Sequence, residues 1–159
     1  MAVFRRRPRY VPLIVPAFDG STWPDRATAG PSFDTLTIYQ LGYREAFEPE
    51  AHELADLLVE AVLARVPTEV SAEDEPYLNR VFTSAARIGA GIGVVERNVE
   101  GPADGLMDRR TWGALWQARR ELPGMNGDWA RLAAYLILAG HYVARGGPEA
   151  VPQLLEKLP

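Results

Sequence analysis

The stretch from Pro76 to Val99 constrains the fold more than any other part of this 159-residue chain. Its apolar residues recur at the spacing of one helix face, which predicts a long and largely buried helix. Three interior glycines interrupt it, and each costs a helix about 1 kcal/mol relative to alanine. Glycines let another backbone approach closely, so we expect Gly89 and Gly93 to contact a second buried helix, through Ala133, Ala139 or Gly140.

Proline and glycine divide the chain into helices from Glu48 onward. The apolar periodicity and these breaks predict helices over about 49–65, 76–99, 108–122, 128–145 and 148–158. The fold class we predict is therefore all-α, a bundle of four to five helices in a domain spanning residues 48–159. The 76–99 and 128–145 segments should form its centre, because each has few charged residues along its length.

Residues 1–47 have a different character and predict a long N-terminal arm outside the bundle. Five prolines fall between Pro8 and Pro31, which favours an extended conformation. The segment Asp34–Tyr43 alternates roughly and is rich in Thr, Ile and Tyr, which predicts one short strand that needs a partner. We expect this arm to contact other subunits through Arg5, Arg6, Arg7, Arg9, Tyr10, Ile38 and Tyr39.

Charge and composition exclude several classes of function. The formal net charge is -4, although the first ten residues carry four arginines and no acid, so the main body is acidic and disfavours nucleic acid. Only the segment Arg5–Arg9 could contact nucleic-acid phosphate. The absence of cysteine excludes disulfides, thiolate metal sites and cysteine nucleophiles. Lys157 is the single lysine among 17 basic residues, which is typical of a GC-rich bacterial or phage genome.

The apolar runs are too short for a membrane span, which needs about 18 or more consecutive apolar residues. Pro8, Pro12 and Pro16 interrupt the segment that a secretory signal would need as a continuous helix. We therefore expect no membrane partner and a location in the cytoplasm or in a virion.

Gly89-Ala-Gly91-Ile-Gly93 superficially matches a nucleotide-binding loop. A dinucleotide fingerprint requires GxGxxG directly after a buried strand, whereas this GxGxG follows a predicted helix. A small-residue packing face is the better interpretation.

Glu45 and Glu48 precede the sequence HELADLL, which contains Glu53 and Asp56. This stretch resembles the ExxE and ExxD elements of the all-α MazG-like nucleotide pyrophosphohydrolases. The resemblance implies a Mg²⁺ ion held between these carboxylates and substrate phosphates, as oxygen ligands permit. The competing interpretation is a solvated acidic helix face.

Asp104-Gly105 followed by Thr111-Trp112-Gly-Ala-Leu115 resembles the signature of small peptidoglycan-binding domains. The resemblance implies a cell-wall-binding module, and the alternative is a helix N-terminus after a glycine turn with core tryptophans. His52 and His141 are the only histidines. We expect His52 at the surface and His141 near a helix C-terminus, where the dipole favours a partly charged imidazole.

No catalytic, cofactor-binding or metal-binding residue can be assigned from spacing alone. The leading hypothesis is a non-enzymatic structural subunit of a larger homomeric complex, such as a component of a bacteriophage particle. The pyrophosphohydrolase and the peptidoglycan-binding module remain the alternatives.

Overall fold

The computed structural model describes residues 33–65, 73–100, 109–124 and 127–156. These ranges contain helices and no strand, which confirms the predicted all-α class. The helices are α1 (Phe33–Glu45), α2 (Pro49–Arg65), α3 (Glu75–Glu100), α4 (Arg109–Arg120), α5 (Gly127–Gly146) and α6 (Ala150–Glu156). None of these helices combines the length and the apolarity that crossing a bilayer requires.

The central pair of helices, α3 and α5, packs in parallel. Phe82 of α3 lies beside Trp129 near the start of α5, with ring centroids 6.0 Å apart. Near the other end, Glu96 of α3 contacts Arg145 of α5. The remaining helices pack around this pair, and the buried apolar residues form one core from Ile38 to Leu154.

The glycines of α3 lie where the two central backbones approach each other. A Cβ at Gly89 would overlap the carbonyl oxygen of Ile137, and one at Gly93 would lie 2.6 Å from the carbonyl oxygen of His141. Gly140 of α5 is packed against α3 in the same way, because its Cβ would overlap the carbonyl oxygen of Ala86. No side chain fits at these positions without moving a backbone. Close packing therefore explains why glycines occupy these helix positions despite their low helix propensity.

Proline and glycine end the helices where the sequence predicts. Pro49 occupies the first position of α2, where its missing N–H leaves no hydrogen bond unmade. Gly147 follows α5 with φ of 77°, and its N–H donates to the carbonyl of Val143 at 2.8 Å. This left-handed residue caps α5 before Pro148.

The strand predicted over Asp34–Tyr43 was wrong, since these residues lie within α1. Helix α1 packs on α3 and α4. Gly42 rests against Ile92, and Ala46 just beyond α1 is also buried. Burial on one helix face outweighs the β-propensity of its Thr, Ile and Tyr residues.

The extended arm predicted for residues 1–47 was therefore wrong for residues 33–47. Ile38 is a core residue, 8% exposed, and Tyr39 packs half-buried against that core, so Ile38 in particular is not a surface contact for a partner. The other predicted partner contacts, Arg5, Arg6, Arg7, Arg9 and Tyr10, lie outside the described residues.

Candidate functional site

The acidic residues of the pyrophosphohydrolase resemblance lie on an open surface. Glu48, Glu53 and Asp56 are exposed and Glu45 is half-buried. Asp56 already pairs with Arg87 of α3, whose Nη2 donates to Oδ1 at 3.0 Å. No group of three or more His, Asp or Glu side chains in the described ranges is placed to hold a metal ion.

The residues of the peptidoglycan-binding resemblance are divided between described and undescribed parts of the chain. Asp104, Gly105 and the side chain of Trp112 lie outside the described part. Thr111 and Leu115 are buried in α4, with exposures of 1% and 0%. These two side chains take part in packing and present no surface to a ligand.

A buried charge network joins α3 to α5. The two carboxylate oxygens of Glu96 accept hydrogen bonds from His141 Nε2 at 2.5 Å and from Arg145 Nη1 at 2.6 Å. All three side chains are at most 1% exposed. Glu96 lies one turn after Ile92, on the buried face of α3, while His141 and Arg145 lie one turn apart on α5.

A second ion pair extends this network towards α2. Arg97 donates to the carbonyl of Ala144 at 3.0 Å and to Glu50 Oε1 at 2.7 Å. Burial raises the pKa of the neighbouring Tyr142 to about 12; the negative charge of Glu96 adds to this rise and Arg145 opposes it. The network therefore links α2, α3 and α5. Because its central side chains are buried, a substrate cannot reach them.

The accessible candidate site is an aromatic face formed by residues of α1, of the turn after it, and of α3. Tyr39, Tyr43 and Phe47 form a ladder, with centroid distances of 6.4 Å and 5.3 Å between successive rings. Tyr43 and Phe47 remain 47% and 64% exposed. Tyr77 of α3 is 45% exposed.

Two open grooves flank α3 on this face. The first groove has a volume of about 370 Å³ and lies between the end of α1, the start of α2 and α3; its lining includes Tyr43, Phe47, His52, Asn79, Arg80, Thr83, Ser84, Arg87 and Ile88. The second groove, of about 190 Å³, is lined in part by Tyr77, Leu122 and Pro123. Arg80, Ser84 and Ile88 line both grooves, so the grooves form one surface across α3.

Neither the buried charge network nor the aromatic grooves were predicted from the sequence. His141 lies near the C-terminal end of α5 as expected, but its full burial against Glu96 was not foreseen. The available signal was the position of Glu96 on the apolar side of α3, four residues after Ile92. His52, expected at the surface, is half-buried in the first groove.

Comparisons with protein-family models, with curated proteins and with solved structures find no match to this chain. Function is therefore inferred from the geometry of the chain itself.

Proposed function

We propose that this protein is a non-enzymatic structural subunit of a larger homomeric complex, of the kind that builds a bacteriophage particle or another virion. A second copy covers the face formed by the two grooves. The observation that carries the proposal is the exposure of Tyr43, Phe47 and Tyr77, which line the two grooves beside α3.

Exposed aromatic residues around grooves are characteristic of protein interfaces. Tyr and Phe are enriched in interface cores, and contiguous apolar patches on single-chain proteins are limited in size. Here Tyr43 and Phe47 line the same groove as Ile88, and they form part of one aromatic ladder. Covering these rings removes apolar surface from water, at about 25 cal/mol for each Å².

Several charged side chains of the described helices link those helices to one another. Asp56 and Arg87 link α2 to α3, and Glu96 and Arg145 link α3 to α5. These contacts support a rigid building block. The virion part of the proposal rests on the sequence, which joins a basic, proline-rich N-terminal segment to an acidic helical body.

The mass of the full chain in solution, measured by light scattering over a range of concentrations, tests this function. We expect a mass well above the 17.6 kDa of one chain. Replacing Tyr43 and Phe47 together by Glu should lower that mass, because a buried unpaired charge strongly opposes association.

Leu57→Glu is the matched control, since Leu57 is 44% exposed on α2 and lines neither groove. Its mass should equal that of the unsubstituted protein, and circular dichroism should confirm that all variants are folded. A full chain that stays at 17.6 kDa at every concentration would contradict the proposed function.

A further inference from the structure

The first groove offers both apolar rings and a surplus of hydrogen-bond donors. Tyr43, Phe47 and Ile88 supply the apolar surface. Asn79, Arg80 and Ser84 line the same groove and can donate hydrogen bonds to an occupant. An occupant with apolar side chains and unpaired backbone carbonyl oxygens would satisfy both features.

A proline-containing extended segment has this chemistry. Proline lacks an N–H, and a polyproline II conformation makes no internal hydrogen bonds, so its carbonyl oxygens remain available. Such segments bind in aromatic-lined grooves, where their preformed shape reduces the entropy lost on binding.

The chain itself contains one such segment, Tyr10 to Phe18, with the sequence YVPLIVPAF. It carries no charge, has prolines at positions 12 and 16, and lies outside the described residues. An uncharged apolar segment of this kind needs a surface that covers it.

The distribution of charge supports this occupant and its orientation. Residues 1–32 carry five arginines and two aspartates, a net charge of +3, which leaves -7 for the rest of the chain. Arg80 lines the groove and disfavours a cation inside it. The arginines from Arg5 to Arg9 would instead lie over exposed carboxylates of α2 such as Glu53 and Glu60.

We infer that residues Tyr10–Phe18 of a neighbouring copy occupy the first groove, an inference that rests on the proposed homomeric function. Sixteen residues separate Pro16 from Phe33, and an extended chain of that length reaches about 50 Å. The longest helix, α3, has 26 residues and a length of about 39 Å. The linker is therefore long enough to carry the segment beyond its own bundle.

The absence of cysteine from the sequence allows a direct test by cross-linking. Full chains carrying Leu13→Cys are mixed with full chains carrying Ser84→Cys, and a short bis-maleimide links them. We expect a heterodimer joined between positions 13 and 84, identified by mass spectrometry. Gln153→Cys, at an exposed position on α6, replaces Ser84→Cys in the control and should give at least tenfold less product.

A second experiment substitutes residues of the N-terminal segment, leaves the helical bundle unchanged, and measures the dissociation constant of the complex. Leu13→Glu with Ile14→Glu should raise the dissociation constant of the complex at least about tenfold, because two charges cannot be buried unpaired in the groove. Ala27→Glu with Ala29→Glu adds the same charge outside the segment and should change that constant by less than about threefold. Circular dichroism should be the same for both.

The outcomes separate this inference from the proposed function. A complex that keeps its mass in Leu13→Glu/Ile14→Glu and gives equal cross-linking at positions 84 and 153 overturns the inference and leaves the function standing. A monomeric full chain overturns both. A chain carrying both cysteines that links only within itself places the segment in its own groove, and the inference fails in that case as well.

Discussion

At the level of single residues, the buried contact of Glu96 with His141 and Arg145 carries the largest desolvation cost. Burying an ion pair removes both charges from water, and the mutual attraction offsets that cost only when the geometry is good. Each oxygen of the Glu96 carboxylate accepts a hydrogen bond of 2.5–2.6 Å, but Nε and Nη2 of Arg145 and Nδ1 of His141 are buried with no hydrogen-bond partner among the described residues. Removing one member should therefore be much worse than removing all of them.

Glu96→Gln tests this asymmetry while preserving side-chain shape. It leaves Arg145 buried without a counter-charge, so we expect the free energy of unfolding to fall by about 3–5 kcal/mol. Urea unfolding measures the change. Glu53→Gln removes a carboxylate that is exposed on α2 and should stay within about 0.5 kcal/mol of the unsubstituted protein.

The triple variant Glu96→Met, His141→Leu, Arg145→Met completes the test, because it removes all three side chains of the buried contact together. Buried ion pairs replaced by apolar residues of similar volume are often neutral or stabilising by about 1–4 kcal/mol. The triple variant should be more stable than Glu96→Gln. A triple variant less stable than the single one would mean that the network stabilises the fold by itself.

Two buried tyrosines predict a loss of stability at alkaline pH. Burial raises the pKa of Tyr142 to about 12, and burial likewise raises the pKa of Tyr135 well above its ordinary value of 10.0. Above pH 10 the unfolded chain releases these protons while the folded chain keeps them. The stabilising contribution is therefore complete below pH 10 and is lost as the pH rises, by about 1.4 kcal/mol per unit for each tyrosine.

Urea unfolding of Tyr142→Phe between pH 8 and 11.5 measures this effect. Its free energy of unfolding should fall less steeply with pH than that of the unsubstituted protein, because one titrating group is gone. Tyr77→Phe changes an exposed tyrosine and should keep the original slope. Equal slopes for all three proteins would assign the alkaline transition to other groups.

At the level of helices, sequence patterns predict those elements whose own residues determine their limits. Pro49 begins α2, and Gly147 with Pro148 ends α5, because these residues restrict the backbone wherever they occur. Helix α1 could not be predicted in this way. Its Thr and Tyr content favours a strand, and the helix is stabilised by contacts with α3, such as Gly42 against Ile92, that no local pattern encodes.

Gly89→Ala tests the contact between α3 and α5. An alanine at an exposed helix position would stabilise the protein by up to about 1 kcal/mol. At Gly89 the added methyl group would overlap the carbonyl oxygen of Ile137, and a backbone atom cannot rotate away. We expect destabilisation by about 1–3 kcal/mol, the usual result of overpacking, seen as a lower midpoint in a thermal melt.

Gly124→Ala is the control for this experiment, since a Cβ at Gly124 meets nothing within 4 Å. It should leave the melting midpoint unchanged or raise it slightly, because alanine restricts the unfolded chain more than glycine does. An upward shift for Gly89→Ala would show that the two helices can separate without loss of stability.

At the level of the whole molecule, the sequence predicted the fold class better than the candidate site. The all-α bundle and its two central helices follow from periodicity and breaks along the chain. The grooves depend on which residues α1, α2 and α3 bring together, such as Tyr43 and Ile88, which line the same groove. That arrangement results from tertiary packing, so the aromatic ladder could not be distinguished from ordinary core residues.

Deleting residues 1–30 tests whether the helical body is independent of the N-terminal segment. Every described helix begins at or after Phe33, and the described core extends from Ile38 to Leu154. The deletion should therefore leave the helical circular dichroism nearly unchanged. The truncated chain also loses the segment that we assign to the groove of a neighbour, so its mass by light scattering should fall towards that of one chain. Loss of the helical signal would instead place part of residues 1–30 in the folding core, and an unchanged mass would assign the assembly to the helical body alone.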